Sequence, residues 1–99
     1  MKEEFKGILL AGHKEDAVEV PFDPALKWDS PKQKLWNGRN GHFVKGVVNG
    51  IPFESAIVPR VKKFFLLIDN DVKAAANIAV GDTVKVAIGP LAEPPLLKL

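Results

Sequence analysis

The chain has no cysteine and no tyrosine, and its only serines are Ser30 and Ser55. Without thiols there is no disulfide, no thiol nucleophile and no thiolate metal site, so the fold must rest on its core alone. Neither serine sits in a Gly-x-Ser-x-Gly elbow, and no Gly-x-Gly-x-x-Gly or Gly-Lys-Ser/Thr loop is present to cradle a phosphate. His13 and His42 are the only histidines and lie in separate stretches, short of the three or four convergent ligands a metal needs. No window approaches the ~20 apolar residues of a spanning helix. The first residues, Met1 to Lys6, carry acids where a signal peptide carries a basic segment. These absences predict a cytoplasmic domain with no cofactor, no metal and no membrane contact. They leave an enzyme only the route of a site assembled by folding, because Asp23, Asp29, Glu54, Asp69, Asp71 and Asp82 show no spacing that makes a facing pair.

What is present is enough for one core. Ninety-nine residues, 46% of them hydrophobic and 26% charged, are the size of a single ordinary domain. A chain this long removes roughly 65% of its unfolded surface from water. The net charge of +2 is unevenly distributed. Residues 1–26 hold three Lys against six acids, −3; residues 27–63 hold eight basic residues against Asp29 and Glu54, +6; the remainder holds three Lys against four acids, −1. A basic middle third is the form an anion-binding face takes.

Two strand-like runs meet at Asn49-Gly50 within Gly41 to Val58, and Asn-Gly suits a two-residue turn with positive φ at both positions. Phe5 to Leu10 and Ala17 to Val20 read as earlier strands, the second stopping at Pro21. Asp23 before Pro24 is a helix cap before a first-turn proline, which predicts a helical turn near residues 24–28. Residues 29–40 read as a long exposed loop, and Pro59 to Lys63 as a basic connection. Phe64-Phe65-Leu66-Leu67-Ile68 suits a central strand buried on both faces. Asp69 or Asn70 then caps a short helix with Val72, Ala75, Ala76 and Ala79 on one face, plugging an end of the core. Thr83 to Ile88 alternates as a half-buried strand that Gly89-Pro90 ends, and residues 91–99 form a Pro-rich apolar tail. The pattern is mainly β, a small closed or partly closed six-stranded β-barrel with one short α-helix at about residues 70–79, spanning residues 1–90.

Phe43-x-x-Gly46-x-x-Asn49-Gly50-x-x-Phe53-x-Ser55, with Val20-Pro21-Phe22-Asp23-Pro24, the apolar strand, the Ala-rich helix and Gly81-Asp82-Thr83-Val84, resembles the small bacterial domain-of-unknown-function family 1905. The resemblance covers about residues 5–90 and implies a small β-barrel. Members are sometimes joined to a YdeI/OmpD-associated segment, and none is expected within these 99 residues. The resemblance carries no catalytic residues. Gly81-Asp82-Thr83-Val84 also occurs where a strand begins in swapped-hairpin DNA-binding proteins related to AbrB. The plainer reading is a turn in which Asp82 bonds nearby backbone and Gly81 takes positive φ.

The basic middle third supplies the candidate site: Lys32, Lys34, Trp36, Arg39 and His42, extended by Lys27, Trp28, Lys45, Lys62 and Lys63. Lysines neutralise phosphates while exposed aromatics stack on unpaired bases. In the opposing reading the tryptophans fold back as core anchors and the lysines form a solvated face. The expected function is a non-catalytic binding or accessory module for a small ligand or a protein, with nucleic-acid or other polyanion binding through residues 27–63 as the alternative.

Overall fold

The computed structural model describes residues 3–12, 15–28 and 40–91, and the backbone alone at 33–34. Seven strands and two short helices follow in chain order: β1 (Glu3–Leu10), β2 (Asp16–Val20), α1 (Pro24–Lys27), β3 (Gln33–Lys34), β4 (Asn40–Val48), β5 (Ile51–Arg60), β6 (Lys63–Ile68), α2 (Asn70–Ala76) and β7 (Thr83–Pro90). All pairings are antiparallel, in the order β3-β4-β5-β6-β2-β1-β7, and β4 also pairs with β7. That last pairing, from Val48↔Val86 to Val44↔Pro90, closes six strands into a barrel and leaves β3 as a two-residue addition to β4. β7 therefore runs through Gly89-Pro90 instead of stopping before it, because β4 offers these residues a partner strand.

The Asn49-Gly50 turn forms as its residues require, with φ of 47° and 83°. Asn49 also reaches outside the hairpin: its amide donates to the Lys85 carbonyl at 2.8 Å, and its Oδ1 accepts from the Lys85 amide at 2.8 Å. The basic connection proves to be a second tight hairpin turn. β5 continues to Arg60, β6 begins at Lys63, and Val61 and Lys62 take φ of 50° and 65°. Neither glycine nor asparagine stands there, so sequence gave no turn signal, and a β-branched residue at positive φ is rare. Val61 is 87% exposed.

Alternation along each strand sends one set of apolar side chains inward. Leu9, Val18, Val44, Ile57, Leu66 and Ile88 are among those fully buried in the barrel. Helix α1 follows the cap rule: Asp23 accepts from the Ala25 amide at 2.9 Å, with Pro24 in the first turn. The turn delivers Trp28 to the core, edge-on to Phe22 at 5.3 Å, and Phe22 is edge-on to Phe5 at 6.1 Å. Asp69 caps α2 through the Val72 amide at 2.9 Å. The helix ends earlier than 79, at Asn77 in the left-handed region, where the Ile78 amide turns back to the Lys73 carbonyl. That early stop changes the buried face. Val72, Ala76 and Ile78 pack on the core, whereas Ala75 and Ala79 are exposed.

A second apolar cluster lies on the outside of the barrel. Phe43, Ala56 and Val58 are buried there with Phe65, Leu67 and Leu91 against them. Of the expectation that β6 is buried on both faces, the inner face is met, with Leu66 and Ile68 in the barrel core, whereas Phe65 and Leu67 are only half-buried against the outer cluster. The Ser55 hydroxyl, also buried, donates to the Leu67 carbonyl at 2.6 Å. Leu91 reaches the cluster through its amide, which donates to the Phe43 carbonyl at 2.9 Å. The readings of the tail beyond Leu91, and of most of the 29–40 loop, fall outside the described residues.

Lys73 of α2 donates to the Asp16 carboxylate of β2, and both side chains are largely buried. This hydrogen bond pulls the Asp16 carboxyl below its ordinary range against the opposing effect of burial, with the Lys73 charge and a hydrogen bond from the Gly12 backbone assisting. A depressed folded pKa contributes stability that is present above the unfolded value, about 3.9, and lost as pH falls through the folded one. Asp16→Asn is therefore expected to lower the melting temperature at pH 7. The gap to the parent protein should shrink as pH falls from about 4 through the lowered folded pKa of Asp16, below which the parent is uncharged at this position too. Melting curves at pH 7, 5 and 3 check this, and a gap of constant size would show that the charge of Asp16 is not its source.

Candidate functional site

Four of the described carboxylates are engaged in building the fold. Asp23 and Asp69 cap helices, Asp16 binds Lys73, and Asp82 accepts from the Ala79 amide at 2.9 Å. With Gly81 at φ 100°, the Gly81-Asp82 segment is the backbone-bonded turn of the plainer reading. Among the described residues no three His, Asp or Glu side chains converge as a metal cluster. No helix there is long and apolar enough to cross a membrane.

The basic candidates are dispersed. Lys32, Trp36 and Arg39 lie outside the described residues, and Lys34 is placed as backbone only, opposite Asn40. His42 is 3% exposed, in register with Ile57 and on the same side of β4 as Val44, so it does not belong to an exposed binding face. Trp28, at 4% exposed, is the core anchor of the opposing reading. Lys27 lies 3.6 Å from Glu3 and Lys63 lies 3.7 Å from Glu19. Lys62 and Lys63 are exposed at the Val61-Lys62 turn, the barrel end at which β4 begins and β3 pairs with it. The Asn49-Gly50 turn stands at the other end of β5, ten residues long, or roughly 30 Å away at ~3.3 Å per residue.

That far end carries a groove that no sequence motif announces. It has a volume of about 460 Å³ and runs over the outside of the barrel where β1, β7 and the β4–β5 turn meet. Glu4, Phe5 and Lys6 line it from β1, and Lys85, Val86 and Ala87 from β7. Val47 and the Asn49-Gly50 turn complete it. The strand registers set two rows across it. Lys6 stands opposite Lys85, and Glu4 stands opposite Ala87, which is itself opposite Val47. Lys6 and Lys85 are both exposed, and among the described residues neither has a carboxylate within ion-pair distance. Sequence reasoning missed this site because its lysines come from opposite ends of the chain, and only barrel closure makes them neighbours.

The fold and this outer groove define a closed antiparallel β-barrel with an apolar interior and an open concavity on the surface. Residues 5–88 match the family described as Domain of unknown function (DUF1905), and the chain belongs to that family. No curated protein matches the chain.

Proposed function

We propose that the domain is a non-catalytic module that binds a small ligand in the outer groove between β1, β7 and the Asn49-Gly50 turn. The observation that carries this reading is where space is available. The barrel interior is filled by Leu9, Val18, Val44, Ile57, Leu66 and their neighbours, while a concavity of about 460 Å³ lies on the outside, within the range that small ligands occupy. Asn49 joins the turn to β7 by two backbone-directed hydrogen bonds, which holds the groove's walls in fixed relation.

A second reading, nucleic-acid binding in the cytoplasm through the basic 27–63 region, draws on Lys34 and Lys62-Lys63 sharing one end of the barrel. It draws less from the rest of the region, since Lys63 and Lys27 face acids and His42 and Trp28 are buried. Titrating ¹⁵N-labelled protein with a small-molecule fragment set, and separately with a single-stranded oligonucleotide, tests both. Fragments are expected to move the amides of Lys6, Asn49, Gly50, Lys85 and Ala87. Fragment binding confined to other residues, or none, would overturn the groove, and oligonucleotide shifts at Lys62 and Lys63 would favour the second reading.

A further inference from the structure

Resting on the groove as the working face, we propose that its ligand is a small organic anion, whose carboxylate or phosphate is held between Lys6 and Lys85 with an apolar body over Val47 and Ala87. The register places Lys6 directly opposite Lys85. Like charges in that relation destabilise a sheet, and among the described residues neither lysine has a carboxylate within ion-pair distance. Glu4 is two residue pairs along the ladder, the next position on the same face and opposite Ala87, and forms no ion pair with either lysine. An anionic oxygen between the two ammonium groups converts their repulsion into two charge-assisted hydrogen bonds.

The turn adds to the same donor set. Asn49 Oδ1 is already taken by the Lys85 amide, so the unengaged end of this carboxamide is its NH₂ donor. Two ammonium groups and one carboxamide NH₂ therefore border a groove whose adjoining row is Val47 and Ala87 with Glu4 at its far end. A ligand that matches has acceptor oxygens at one end and an apolar surface at the other. The β1–β7 and β4–β7 ladders on either side of Lys85 keep these groups on rigid strands.

The experiment compares three probes of similar body, phenyl phosphate, phenylacetate and neutral benzyl alcohol, by ¹⁵N chemical-shift titration of the whole chain. The anions are expected to shift Lys6, Asn49, Gly50 and Lys85 and to bind roughly tenfold more tightly than the alcohol. A stronger response to phenyl phosphate assigns a phosphate ligand, and an equal or stronger response to phenylacetate a carboxylate. Lys6→Met and Lys85→Met keep the apolar stems and should each weaken anion binding, with the double variant losing the preference over the alcohol. Because the repulsion is gone, both single variants should melt at or above the parent temperature without ligand. Equal binding of the alcohol in the groove overturns the anion inference but leaves the small-ligand reading intact. No groove resonance moving with any probe overturns both, and anion binding unchanged in the double variant overturns the assignment to these lysines.

Discussion

Gly46→Ala is expected to cost the domain about 3–5 kcal/mol, more than most overpacking substitutions, because what it strikes is backbone. A Cβ at Gly46 would lie 1.9 Å from the Ala87 carbonyl oxygen and 2.8 Å from both the Ala87 carbonyl carbon and the Ile88 Cα. Gly46 stands opposite Phe53 on one side and Ile88 on the other, so relief would require β7 to withdraw from β4 at the pairing that closes the barrel. Domains of this size have about 5–15 kcal/mol of total stability, so the variant should show a collapsed denaturation midpoint or be largely unfolded at 37 °C. Gly50→Ala is the comparison. It meets open space and bears only the strain of φ 83°, about 1–2 kcal/mol. Urea unfolding of the two variants checks the order, and a Gly46→Ala midpoint close to the parent would show that the seam is not tight at this point.

Phe43→Ala should cost about 3–5 kcal/mol, as much as truncating a residue inside the barrel, although Phe43 faces outward. Phe43 is 3% exposed and packs with Ala56, Val58, Phe65, Leu67 and Leu91. The barrel thus has apolar packing on both sides of β4, β5 and β6. Ile57→Ala on the inner face is expected to fall in the same range, about 2–5 kcal/mol. Leu26→Ala, at 83% exposed, should change stability by less than about 0.5 kcal/mol. A Phe43→Ala cost as small as that of Leu26→Ala in the same denaturant series would mean that the outer cluster contributes no packing energy.

Much of the architecture was legible because it is locally encoded. Asn49-Gly50 sets its own φ angles, Asp23-Pro24 and Asp69 cap their helices within three residues, and Gly81-Asp82 closes a turn on Ala79. Strand alternation then identifies Val84, Val86 and Ile88 as a buried face without knowledge of their partners. Features that depend on a non-local partner are not encoded in this way. Val61-Lys62 turns without turn residues where β5 is also paired to β4 and β6 to β2. Trp28 and His42, plausible on a binding face, are buried.

The candidate site marks the same division. The sequence by itself determined a single β-rich domain, the absence of thiol chemistry, its helix caps and the principal hairpin, since each depends on residue type or short-range spacing. Only the tertiary structure decided that β4 pairs with β7, that Gly46 must lack a side chain there, and that Lys6 stands opposite Lys85 beside Asn49. The physical reason is that closing a barrel joins strands from the two ends of the chain, and the register of that join is set by the packing of the whole core.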